Sequence, residues 1–258
     1  MQTAKQKLKR AAPWLFLLLV LAGLAAVRGL AANYEIGYEI MNGDFQNYNP
    51  VRHLLAGQVP YRDFTVYLGA GELYSVGGLL LVLGNSFGRS MFATNFCTWF
   101  YFELLVLAAC LVVIGTARAA RAAALALCSV FFAYVQGANL PLAGQVNTLL
   151  SYAAANGNSA RMMRSAALTL AVLVILLGLH FWQQDTSRRL LAPAVLVPFA
   201  AGFFVPWSND MGGAAYISIA LGYGLYLIRL YRSSIGKIVV QTLRYIVTSV
   251  VGLGVSVL

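Results

Sequence analysis

Charge is scarce in this sequence. Only 10% of its 258 residues are Asp, Glu, Lys or Arg, against about 25% in a soluble globular domain. So little polar surface cannot cover a particle in water, which excludes a water-soluble enzyme. Apolar runs recur along the whole length, which also excludes a soluble domain on a single anchor. Histidine occurs twice and cysteine three times. Cys97, Cys110 and Cys128 lie in apolar runs with neither metal nor disulfide spacing, so they read as small core residues. There is no Gly-rich phosphate loop, zinc motif or nucleophile elbow. No repeat, linker or low-complexity tract divides the chain, so residues 1–258 read as a single membrane domain.

Apolar length is what the chain has in abundance. Hydrophobic residues make up 60% of it, and a helix needs about 20 of them in a row to span the bilayer core. Segments 12–32, 91–115, 122–142, 165–182, 190–206, 211–228 and 238–258 meet or approach that length. A transmembrane barrel would instead alternate apolar and polar residues, and LTLAVLVILLGL at 168–179 does not. Helices satisfy their own backbone groups inside lipid. The expected fold class is therefore an all-α integral membrane protein with about seven transmembrane helices. The opening run is long and no small-x-small cleavage site follows it, so a retained first helix is expected rather than a cleaved signal. Segment 70–84 carries Glu72 and is short for a span. An interfacial or re-entrant helix fits it better.

Charge counting orients the chain. With 70–84 not crossing and the N-terminus cytoplasmic, Arg118, Arg121, Arg188, Arg189, Arg229, Arg232 and Lys237 lie inside, and Arg89, Arg161 and Arg164 lie outside. That asymmetry obeys the positive-inside bias, and letting 70–84 cross would reverse it. An extra span or re-entrant pair at 139–158 would flip everything after it. The basic tail at Lys5, Lys7, Lys9 and Arg10, with single or paired cations between apolar runs, accounts for the net charge of +10. Lipid headgroups are the expected partners of these cations, and nucleic acid is not.

Glu35, Glu39, Asp44, Asp63, Glu72 and Asp210 then face outward. Residues 33–90 form a first outer loop with short interfacial helices, 143–164 a second outer segment, and PWSND at 206–210 lies in a third. The chain closes on VVGLGVSVL with no polar flank. A truncated product or the front half of a larger protein is expected from that.

The richest polar stretch is NGDFQNYNPVRHLLAGQVPYRDF, 42–64. Asn42-Gly43 and Asn49-Pro50 read as turns, 51–56 as a short helix stopped by Gly57, and Pro60 as the start of a rigid turn into Tyr61, Arg62 and Asp63. A compact loop just outside the membrane is expected.

The order is a basic tail, one helix, an acid in the outer loop, a short helix ending LLAGQVPYRDF, a second short apolar helix ending LGNSFGRS, and a long span. It resembles the N-terminal module of GT-C-type membrane glycosyltransferases over roughly residues 1–120. That class uses polyprenyl-phosphate-linked sugars and includes protein mannosyltransferases, oligosaccharyltransferase catalytic subunits and lipid A aminoarabinose transferases. The chain departs from it in having no paired Asp-Glu, no WWDYG-type motif and no soluble C-terminal domain. The resemblance implies a multi-pass protein of the bacterial inner (plasma) membrane, acting on the non-cytoplasmic side of the cell envelope. It implies a polyprenyl-phosphate-linked sugar donor and puts Asp44 in the place of the family's acid.

Glycosyl transfer from a lipid phosphate needs a base, a cation for the departing phosphate, and access to a lipid. Asp44 is the candidate catalytic base, since partial desolvation suits a carboxylate to that task. An ordinary turn aspartate is the other reading. Arg52, His53 and Arg62 are candidates to meet the phosphates, although Arg62 and Asp63 equally suit a local pair. Tyr61, Asp63, Asn209 and Asp210 complete the candidate substrate-binding set. Asp210 reads either as approaching the Asp44 loop to help bind an acceptor or a divalent metal, or as part of a turn with a helix N-cap. Glu103, inside a predicted span, is a functional candidate by its cost there. It either pairs with Arg244 or is a neutral, hydrogen-bonded group. Gln136, Asn139, Gln145 and Asn147 suit sugar hydroxyls, or a helix broken at Pro141. Two other functions stay open: a transporter or flippase for a lipid-linked sugar or small solute, and a non-catalytic subunit completed by a partner.

Overall fold

A computed structural model describes residues 4–34, 42–136, 169–173 and 195–257. Every named element among them is helical: α1 (Ala4–Tyr34), α2 (Asn42–Leu55), α3 (Ala70–Leu83), α4 (Phe87–Ile114), α5 (Ala119–Gln136), α6 (Val197–Phe203), α7 (Gly212–Leu230) and α8 (Ile235–Val257), with 3-10 turns at Thr116–Arg118 and Val205–Trp207. Three helical segments are long and apolar enough to cross a membrane: Ala12–Leu30, Phe87–Ile114 and Ile235–Ser256. The expected span over 165–182 and the stretch 139–158 fall largely or wholly outside the described residues; of 190–206, residues 195–206 are described, and there the helix is short, α6 followed by the 3-10 turn at Val205–Trp207.

Helices α1 and α4 pack antiparallel. Gly29 faces Phe92, Ala25 clusters with Trp99 and Phe102, and Leu17 and Leu21 cluster with Leu107. Numbers fall along one helix as they rise along the other. Tyr34 and Phe87 therefore lie at the same end of the pair, and the chain between them leaves and returns at that end. Neither α2 nor α3 alone can cross: each has 14 residues, about 21 Å of helix, against a core of about 30 Å. The short helix expected over 70–84 is α3. Both short helices pack on the first half of α4, through Val51, Leu73, Val76, Leu80, Ala93 and Cys97.

A second group forms around α6 and α8. Gly202 lies against the Ser249 carbonyl and Gly252 against the Phe199 carbonyl, so the two backbones touch where no side chain intervenes, as small residues permit between membrane helices. Outside this contact α8 exposes Val239, Val240, Leu243, Val247, Val250 and Val251. Such a run of bare apolar side chains suits lipid rather than water.

Three expectations are corrected. Asn49-Pro50 is not a turn, because α2 runs through it from Asn42 to Leu55. Proline there removes one helical hydrogen bond, and packing of Phe45, Tyr48 and Val51 holds the helix regardless. Cys97 is a core residue, but Cys128 is exposed on α5. Arg244 is exposed on α8, whereas Glu103 is fully buried on α4; the cation stacked one turn from Glu103 is Arg28, 4.7 Å over the Trp99 ring.

Candidate functional site

Helix α2 is anchored to the start of α4 through two aromatic rings. Phe45 stacks on Phe87 with ring centroids 4.9 Å apart, and the Tyr48 ring meets Phe87 edge-on. The Tyr48 hydroxyl donates to Asn85 Oδ1 at 2.9 Å. The same rings border a groove of about 560 Å³. Its lining is three aromatic rings (Phe45, Tyr48, Tyr67), two amides (Gln46, Asn49), Pro50 and Arg52. Arg52 Nη2 donates to Asn49 Oδ1 at 3.2 Å and its side chain stays exposed. Asp44 stands in the first turn of α2, next to Phe45 in the chain; its side chain lies outside the described ones.

Gly57 ends α2 in the left-handed region, φ +83, the usual helix stop. His53 donates from Nδ1 to Gln58 Oε1 and stacks on Phe64 at 5.2 Å, contacts that pin the loop to the helix end. Asp63 accepts from Arg62 Nε at 2.9 Å, Arg62 Nη2 at 3.0 Å and the Val59 N–H at 2.8 Å. The hydrogen bonds from Arg62, then that from Val59, hold its carboxyl down at about 2. The same pair raises the Arg62 guanidinium. These two residues are therefore each other's partners, and a carboxylate held so acidic is a poor proton acceptor near neutral pH.

Tyr61 is the non-glycine residue with positive φ, +63, among the described residues. Such strain persists only where surrounding contacts over-determine it. Here the Tyr61 N–H donates to the Phe64 carbonyl at 3.0 Å, and its hydroxyl donates to Asn209 Oδ1 at 3.2 Å. Partial burial pushes the phenol up, against the opposing effect of the Asn209 hydrogen bond. Asn209 Nδ2 donates in turn to the carbonyls of Val66 and Tyr67, at 2.6 and 3.0 Å. One amide thus clasps a loop more than 140 positions earlier. Asp210 accepts from Ser208 Oγ at 2.7 Å, and Ser208 Oγ accepts from the Met211 N–H at 3.2 Å. Asn209 bonds across to the 59–67 loop.

Glycine makes the clasp close. A Cβ on Gly69 would sit 2.6 Å from the Trp207 carbonyl oxygen, and one on Gly71 would strike the Trp207 indole. Tyr67 joins the clasp to the groove: its carbonyl holds Asn209, and the residue lines the groove beside Arg52.

The structure therefore gathers Tyr61, Arg62 and Asp63 with Asn209 and Asp210, sets Arg52 on the neighbouring groove, and uses His53 in loop packing. Among the described residues no group of three His, Cys, Asp or Glu side chains could hold a metal ion. Sequence reasoning missed Phe45, Gln46, Tyr48, Asn49 and Tyr67. The spacing 45, 48, 49, 52 was the available signal, since it marks one face of a helix, and reading Asn49-Pro50 as a turn hid it. Gln136 ends α5, and Asn139, Gln145 and Asn147 lie outside the described residues. No protein-family model, curated protein or solved structure matches this chain.

Proposed function

We propose that this chain is a GT-C-type membrane glycosyltransferase, or the N-terminal part of one, that moves a sugar from a polyprenyl-phosphate donor to an acceptor on the non-cytoplasmic side. The observation that carries the reading is the groove. Aromatic faces suit the apolar faces of a sugar ring, side-chain amides suit its hydroxyls, and the exposed Arg52 suits a phosphate. The groove runs along a short helix that returns to the same end of the α1–α4 pair, where a lipid-linked headgroup is within reach.

In this reading the donor phosphate pairs with Arg52, and Asp44 is the carboxylate that the resemblance assigns to the acceptor hydroxyl. Tyr61 and Asn209 keep the loop closed over the groove's Tyr67 side. About seven spans, a cytoplasmic N-terminus and an inner (plasma) membrane address belong to the same proposal. So does a divalent metal or a partner subunit, should the chain require one.

The test is transfer from a radiolabelled polyprenyl phosphate hexose in membrane vesicles carrying the chain. Wild-type protein is expected to release the label from the donor, and Asp44→Asn to slow that release by about 10²–10⁴-fold. Unchanged transfer in the variant removes Asp44 from the base role. No transfer by any form sinks the transferase reading. A transporter is the second reading, favoured by Glu103, fully buried within a membrane-spanning helix, where an ionisable group marks a substrate or proton path by default. It predicts movement of the intact labelled donor between leaflets with no label released.

A further inference from the structure

Residues 211–258 hold four cations, Arg229, Arg232, Lys237 and Arg244, and no Asp or Glu. Arg229 stands in the last turn of α7, Arg232 in the turn that follows, and Lys237 in the first turn of α8. All three are exposed. Lys237 Nζ lies 5.9 Å from the centre of the Tyr231 ring, whose negative face attracts it. Tyr231, Gly236, Lys237, Val240 and Gln241 line a groove of about 340 Å³, within the range of small-ligand sites, about 300–1,000 Å³. The groove lies at the start of Ile235–Ser256, a segment long and apolar enough to cross a membrane.

From this groove an apolar row continues along α8. Val240, Leu243, Val247, Val250 and Val251 are exposed, and spacings of three and four place them on one face. That face lies opposite Tyr245, Ser249 and Gly252, the positions turned toward α6. From Val240 to Val251 the helix rises about 16 Å, the depth of one leaflet of a core about 30 Å thick. Arg244 shares the face two turns beyond Lys237. A cation there is costly in lipid unless it meets an anion or reaches back to the interface.

We infer that the α7–α8 corner seats one anionic phospholipid, with its phosphate beside Lys237 and Arg232 and an acyl chain along the Val240–Val251 row. Charge decides the class of lipid. Cations with no carboxylate near them in the chain attract a headgroup of net negative charge and repel the ammonium of a choline headgroup. The apolar row decides between a lipid and a free phosphate, which has nothing to lay along it. The seat shares no lining residue with the α2 groove, and the inference does not depend on the transferase reading.

Native mass spectrometry of the full chain in detergent counts retained lipid as dioleoylphosphatidylglycerol or dioleoylphosphatidylcholine is added. One phosphatidylglycerol is expected to stay bound at concentrations where phosphatidylcholine does not, and glycerol phosphate without acyl chains is expected not to compete. Lys237→Gln should weaken retention about five-fold, and Arg232→Gln combined with Lys237→Gln about 25-fold, the usual worth of cations near an anionic lipid surface. Arg118→Gln removes an exposed cation elsewhere and should change nothing. Val240→Trp keeps every charge, fills the groove and should expel the lipid. Equal retention of the two lipids by wild-type protein overturns the inference, and that comparison needs no variant. A loss on Arg118→Gln as large as on Lys237→Gln also overturns it, as does full retention by Val240→Trp, since either means diffuse surface charge rather than a seat. Competition by glycerol phosphate overturns the lipid as the occupant.

Discussion

Asp63 shows how one side chain's partners decide what it can do. Its sequence neighbours allowed either a substrate contact or a local pair, and three hydrogen bonds commit it to the pair. Its carboxyl is held at about 2, below the ordinary 3.8. The loop stabilisation it supplies is therefore fully present above about pH 4. It is lost as the pH falls toward and through about 2. Pepsin nicking of the 56–69 loop in detergent-solubilised protein should rise across that interval in the wild type. In Asp63→Asn nicking should already be high at pH 4 and change little below it. Equal pH dependence in the two would show that the Arg62–Asp63 fork does not hold the loop. Asp44 illustrates the reverse case, since its proposed role comes from the order of elements around it and not from anything in the residues beside it.

Single elements were legible to different degrees. The long helices α1 and α4 announce themselves by apolar length, and α3 by a shorter run bounded by Gly69 and Gly84. Helix α2 was not legible as one piece, because Asn49-Pro50 is a turn signal in most contexts. Packing against Phe87 and the α3 core overrides that local preference. The glycines of α3 also divide by role in a way no propensity scale separates. Gly71 abuts the Trp207 indole, while nothing lies within 4 Å of a Cβ on Gly78. Gly71→Ala should destabilise the protein by about 1–3 kcal/mol through overpacking. Gly78→Ala should be neutral or stabilise by up to about 1 kcal/mol, since alanine is the better helix former. Thermal unfolding in detergent compares them, and equal melting temperatures would mean that the α3–Trp207 contact does not form.

At the scale of the whole molecule, the antiparallel α1–α4 pair brings the start and end of the 35–86 segment to one side. In a variant with Cys97, Cys110 and Cys128 replaced, Gln46→Cys should react with a membrane-impermeant maleimide added outside intact cells, because Gln46 is exposed and the segment is read as outer. Labelling only after the cytosol is opened would invert the orientation and withdraw the donor site with it. Composition by itself determined the helical, membrane-embedded class, because a backbone in lipid must bond within its own segment and that demand is written locally, in runs of apolar residues. Only the tertiary structure decided which polar groups meet. Asn209 reaches Tyr61, Val66 and Tyr67, and Trp207 seats on Gly69 and Gly71, contacts between distant segments that no local period encodes. The groove lies along α2, and the Asn209 clasp holds its Tyr67 side in place.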